Sequence, residues 1–133
     1  MDRLFLDANV LFSAAYKANA RLLELWKLSD VLLWSSRYAL EEVRVNFSGE
    51  DQIRRLKKLA EALTLHEAAD RKIPAGIRLP EKDVPILQAA LGAHANYLLT
   101  GDIRHFGPYL GRKVGGGVIL LPAQYLKTRY PRK

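Results

Sequence analysis

Cysteine is absent from the 133 residues, methionine occurs once, and no apolar run approaches the roughly 18 residues that a membrane-spanning helix needs. Without cysteine there is no disulfide scaffold, iron-sulfur centre, cysteine-ligated zinc fold or thiol nucleophile, and a reducing compartment is the natural setting. The N-terminus offers only Leu4-Phe5-Leu6 between Arg3 and Asp7, too short an apolar region for a secretory leader, so a cytoplasmic location with no membrane association is expected. Acidic residues are the minority charge. Fourteen Asp and Glu against 21 Lys and Arg leave a formal charge of +7, which favours polyanionic partners and also serves ordinary solubility.

What is present is enough apolar material for a core. Hydrophobic residues fill 49% of positions, and a chain of this length buries about two-thirds of the surface it exposes when unfolded. One domain over 1–133 is expected, with a basic C-terminal tail at 127–133. Short apolar runs at Leu4–Leu6, Val31–Trp34, Tyr97–Thr100 and Val118–Leu121 read as strands, with a brief further one at Thr64–Glu67. Between them lie helical patterns: Val10–Lys27, Tyr38–Phe47 after a Ser35-Ser36 cap, a helix opened by a capping box at Ser48–Asp51, and one from Asp83 with Pro85 in its first turn. Strands that alternate with helices, and that are apolar throughout rather than at every second residue, predict an α/β three-layer sandwich around a central, mainly parallel sheet.

In such sheets ligands bind beyond the carboxyl ends of the strands. Asp7 directly follows the first strand and Asp102 follows Thr100 at the end of another; Glu42 or Glu41, early in a helix, and Asp83, at a helix start, can reach the same edge. Four carboxylates gathered there would repel by roughly 3 kcal/mol per pair at about 5 Å and an effective dielectric of about 20. Such a cluster needs a counterion, and an all-oxygen set suits Mg²⁺ or Mn²⁺ rather than zinc. Without these four acids the chain would carry 21 positive against 10 negative charges, so the cluster would stand in a basic surface. A metal centre ringed by Lys and Arg points to hydrolysis of nucleic acid.

Four stretches, Leu4-Phe5-Leu6-Asp7-Ala8-Asn9-Val10-Leu11, Leu40-Glu41-Glu42-Val43, Asp83 with the apolar helix after it, and Thr100-Gly101-Asp102 with Phe106, resemble the motifs of PIN-domain nucleases. With the segment Val118–Leu126 they span nearly the whole chain. That family includes toxins of the VapC type from bacterial and archaeal toxin-antitoxin pairs. The resemblance implies a metal-dependent endoribonuclease with RNA as substrate, an antitoxin protein as partner and a homodimeric state. It implies catalysis and metal binding by Asp7, Glu42, Asp83 and Asp102, with Asn9 and Thr100 supporting the acids. Glu42 is preferred to Glu41 because Leu40 and Val43 mark the buried face of their helix. His105 stands where some members carry a further acidic or amide residue.

Blander explanations exist for each position. Asp7 and Asp83 suit helix caps, Thr100-Gly101-Asp102 suits a turn, and Glu41 and Glu42 suit a solvated helix surface. His105 reads as an ordinary loop histidine, with orientation of a phosphate or water as the alternative. Arg54, Arg55, Lys57 and Lys58 read as a solvated helix face supported by a Glu50–Arg54 pair. Trp26 and Trp34 read as core or subunit-contact residues. Two other functions compete with the nuclease: a non-catalytic basic RNA-binding module, and a phosphatase using Asp7 as nucleophile in the Asp-x-Asp manner of haloacid dehalogenases. In the latter, Asn9 replaces the second acid.

Overall fold

Leu4, Phe5 and Leu6 are consecutive and all fully buried. Because neighbouring strand residues point to opposite faces, this run requires cover on both sides of the sheet. The computed structural model describes residues 1–129. It runs β1 (Asp2–Leu6), α1 (Ala8–Ala15), a 3-10 turn at Arg21–Leu23, α2 (Glu24–Lys27), β2 (Val31–Ser35), α3 (Arg37–Asn46), α4 (Glu50–Ala60) and β3 (Thr64–Leu65). A 3-10 turn at Glu81–Asp83 leads into α5 (Val84–Gly92), β4 (Tyr97–Leu99), α6 (Ile103–Phe106), a second such turn at Gly107–Tyr109, β5 (Lys113–Val114), β6 (Gly117–Leu120) and α7 (Pro122–Arg129).

The sheet order is β3-β2-β1-β4-β6-β5, with every pairing parallel except that of β5 with β6. This mainly parallel sheet flanked by helices is the α/β sandwich expected. The chain leaves β1 for β2 on one side and later returns to β4 on the other, so strand order reverses between β1 and β4. No helix among the described residues is long and apolar enough to cross a membrane.

Local chemistry explains the elements that flank this reversal. Ser36 caps α3 by accepting the Ala39 N–H at 3.1 Å. Pro85 lies in the first turn of α5, where its missing donor costs nothing. That helix ends with His94 in the left-handed region, φ 54°, while His94 and Ala95 donate to the carbonyls of Leu91 and Ala90. This double closure turns the chain directly into β4.

Several expectations are corrected. The helix expected over Val10–Lys27 is broken: Tyr16–Asn19 are exposed and Ala20 is extended, so a continuous helix there would bury nothing. At Ser48–Asp51 no capping box forms; Gly49 is the N-cap of α4 and makes no side-chain bond. Arg54 pairs with Asp51 at 2.9 Å rather than with Glu50, and Arg55 is not a solvated residue but donates to the carbonyls of Ala15 and Tyr16. Lys127 and Arg129, read as tail, form the last turn of α7. That helix is anchored by buried Tyr125, whose hydroxyl donates to Asp2 Oδ2 at 2.7 Å. The rest of the expected tail lies outside the described residues. Both tryptophans are half-buried against this chain's own core. The Trp26 indole donates to the Leu59 carbonyl, and the Arg3 guanidinium lies over the Trp34 ring.

Candidate active site

The two central strands deliver the first and last acids. Asp7 follows β1 and its backbone N–H donates to the Leu99 carbonyl of β4, which ties the two strand ends together. At the other end of that join, Thr100 donates its hydroxyl to Asp7 Oδ2 at 2.8 Å and accepts the Asp102 N–H at 3.1 Å. Asn9 spans the same gap: its carbonyl accepts the Gly101 N–H at 2.7 Å and its amide lies 3.3 Å from Asp7 Oδ2. Asp7 Oδ1 accepts the Ala8 N–H at 2.6 Å, so Asp7 also caps α1. Cap and cluster member are therefore the same residue.

Asp7, Glu42, Asp83 and Asp102 line one open cleft of about 400 Å³, together with Asn9, Phe12, Asn46 and Lys82. Of the glutamate doublet, Glu42 lines this cleft, whereas Glu41 is exposed and paired with Arg44 on the outer face of α3. Asp83 stands at the N-cap position of α5 but makes no capping bond. Its side chain instead turns into the cleft, with only 8% of the residue exposed. The Tyr38 hydroxyl donates to the Lys82 carbonyl at 2.7 Å, which holds the Glu81–Asp83 turn against α3.

Electrostatics record the crowding. Burial, opposed by the bonds from Thr100 and Ala8 and reinforced by Asp83 and Glu42, pushes the Asp7 carboxyl up to about 6. Asp83 is raised by burial and by Asp102, against the pull of His105 and Lys82. Tyr38 is raised as well, by burial first and then by Glu42, Asp83 and Asp7. Burial is the first cause of all three shifts, and the neighbouring negative charges add to it.

His105, an ordinary loop histidine by its sequence context, belongs to the cluster. Its Nδ1 lies 2.7 Å from Asp102 Oδ2 and 3.0 Å from Asp83 Oδ2, so the imidazole joins two acids from different elements. The signal in the sequence was its spacing, three residues after Asp102 in what becomes the single turn of α6. One Nδ1 proton serves one acceptor, and Asp102 is the closer. Asp83 Oδ2 is left buried without a hydrogen-bond partner, although such atoms are normally satisfied. Lys82 and Asn46 were missed because neither stands in a recognisable motif; their place in the cleft depends on how α3 meets the turn before α5.

The donor set fits a divalent cation. Carboxylate oxygens from four positions converge on one cleft, one of those oxygens is buried and unpaired, and a hard ion takes such ligands while keeping several waters. Asp83, Asp102 and His105 present ligand atoms within 4.8 Å of one another.

The fold is similar to that in the crystal structure of VapBC2 from Rickettsia felis bound to a DNA fragment from their promoter, with a TM-score of 0.63 at 16% identity, covering 88% of this chain and 96% of that one. No curated protein matches the chain at a significant level. The family model described as PIN domain matches residues 3–104, which include Asp7, Glu42, Asp83 and Asp102, and by that match the chain belongs to the PIN domain family.

Proposed function

We propose that this chain is a divalent-metal-dependent endoribonuclease, the toxin of a toxin-antitoxin pair, working in the cytoplasm as one catalytic domain over 1–133. The observation that carries the reading is the convergence of four acids on a single cleft at the reversal point of the sheet.

In this reading Asp7, Glu42, Asp83 and Asp102 hold Mg²⁺ or Mn²⁺. Bound there, such a cation would supply Lewis acidity for activating water and offsetting charge on a phosphodiester. The protein's own residues do the positioning. Thr100 and Asn9 lock the Asp7 carboxylate in one orientation, and the β1–β4 join keeps Asp102 beside it. Lys82, exposed on the cleft wall, meets a phosphate oxygen as a point charge. The remaining basic surface draws in the RNA backbone.

The phosphatase alternative has less support. Both oxygens of Asp7 accept hydrogen bonds and the residue is only 4% exposed, a poor state for a carboxylate that must attack a phosphorus atom. A non-catalytic RNA-binding module leaves four crowded acids and an unpaired buried oxygen without a purpose. The similarity to a fold solved as VapBC2 on promoter DNA supports an antitoxin partner. A basic side chain from that partner would neutralise the cleft, and a homodimer is part of the same reading.

The test uses purified protein with a pool of structured and single-stranded RNAs, with and without Mg²⁺ or Mn²⁺. Cleavage is expected only with metal, and is expected to disappear in both Asp7→Asn and Asp102→Asn while the fold survives. Cleavage retained by both variants overturns the site. Intact RNA in the presence of bound metal overturns the choice of substrate.

A further inference from the structure

The contacts of His105 are unusual for a histidine that merely props up an acid. Its Nδ1 is placed 2.7 Å and 3.0 Å from single oxygens of Asp102 and Asp83; Asp83 Oδ2 is buried without a hydrogen-bond partner, and Asp102 Oδ2 has none besides this imidazole. Asp102 Oδ1 is already committed to the His105 backbone N–H at 3.1 Å, which leaves Oδ2 for the cleft. Two readings of the trio exist. In one, a proton on Nδ1 bonds Asp102 and Asp83 Oδ2 remains orphaned. In the other, a cation among all three atoms leaves none of the trio unpaired.

The unpaired Asp83 Oδ2 favours the second. Neighbouring ligand atoms on one six-coordinate ion stand about 3 Å apart, a spacing that both separations accommodate. Asp102 is the N-cap of α6 and His105 lies in its single turn, which brings Asp102 Oδ2 and His105 Nδ1 to the same side.

We propose that His105 is itself a metal ligand, its Nδ1 completing with Asp83 Oδ2 and Asp102 Oδ2 a mixed nitrogen–oxygen site that favours a first-row transition ion of the Mn²⁺ class over Mg²⁺. The proposal rests on the metal-nuclease reading above and refines it. Carboxylates alone suit both ions, whereas an imidazole nitrogen is a poor ligand for Mg²⁺ and a good one for the later, softer ions. The cleft side, with Asp7 and Glu42, remains all oxygen.

The experiment is pulsed electron paramagnetic resonance on the full chain loaded with Mn²⁺ alone, using unlabelled protein, protein labelled with [¹⁵N]histidine, and His105→Asn. A ¹⁴N coupling to Mn²⁺ is expected in the first, its replacement by ¹⁵N in the second, and its loss in the third. Competition between Mn²⁺ and Mg²⁺ is expected to show the preference for Mn²⁺ falling by at least about tenfold in His105→Asn. The labelled wild type answers the question even if the variant fails to fold. Bound Mn²⁺ without nitrogen coupling, or coupling that persists in His105→Asn, overturns the proposal and leaves the nuclease reading standing. An unchanged Mn²⁺/Mg²⁺ preference overturns the selectivity. A wild type that binds no Mn²⁺ overturns this proposal and the metal-dependent reading together.

Discussion

Both carboxylate oxygens of Asp7 are held, one by the Ala8 N–H and one by the Thr100 hydroxyl, yet burial still lifts its carboxyl to about 6. The folded group thus keeps its proton to higher pH than the unfolded one, whose ordinary value is 3.8. Any stability it contributes is present below pH 4 and is lost as pH rises through about 6. Above that, metal-free protein is destabilised by about 3 kcal/mol. Asp7→Asn removes the charge at the cost of roughly 1 kcal/mol for a lost acceptor. In the presence of a chelator it is therefore expected to be about 2 kcal/mol more stable than wild type at pH 8, and no more stable at pH 4. Thermal unfolding at the two pH values checks this, and a variant less stable at both would refute it. Thr100→Val, nearly isosteric at a fully buried site, strips Asp7 of its main stabilising donor. The expected cost is about 1–3 kcal/mol by denaturant titration. Because Asp7 must ionise to bind a cation, metal affinity should fall more at pH 6.5 than at pH 8.5, as calorimetry would register.

Strands and helices near the reversal point were legible because their signals are local. Leu4–Leu6 is apolar on both faces, Ser36 precedes a helical apolar pattern, and Pro85 sits where a first turn tolerates it. The break after α1 was not legible, since Lys17–Ala20 contains no Gly or Pro and its helix ends because burial ends. Nor was α7, whose basic residues hid a buried anchor, Tyr125. The Arg55 bonds explain how the end of α1 is held. The guanidinium satisfies two carbonyls at the carboxyl end of the helix that begins at Asp7, favourable both as hydrogen bonds and against the helix dipole. Arg55→Ala should cost about 1–2 kcal/mol, whereas Arg54→Ala, which loses only an exposed pair with Asp51, should cost less than about 0.5 kcal/mol. Equal effects in denaturant unfolding would contradict the division of labour between these neighbours.

Across the whole molecule, four of the 14 acids gather in one cleft while the 21 Lys and Arg are spread along the chain. The four cleft acids oppose an otherwise basic chain, so in the nuclease reading RNA would be attracted by the surface and repelled by the cleft until a cation is bound. Affinity for a single-stranded RNA, measured without cleavage in Asp7→Asn, should fall steeply with salt, log K declining linearly with log salt at roughly −0.7 per phosphate contacted. Replacing Glu42, Asp83 and Asp102 by their amides as well should tighten metal-free binding. An affinity indifferent to salt would remove the electrostatic half of the nuclease reading.

Sequence alone determined the class of fold, the succession of its main strands along the chain and the short list of acids, because apolar periodicity, helix caps and motif order are written within a few residues of one another. It also favoured Glu42 within its doublet, since the buried face of a helix follows from its own repeat. Tertiary structure decided what those acids are to each other. Asp7 meets Thr100 across 93 residues, and His105 reaches Asp83 from a separate element. Such contacts depend on which strands pair at the centre of the sheet. Burial, too, was invisible in the chain: it turns Asp83 from a plausible helix cap into an unpaired oxygen, and His105 from a loop residue into the group that faces it, because desolvation is a property of the packed surroundings.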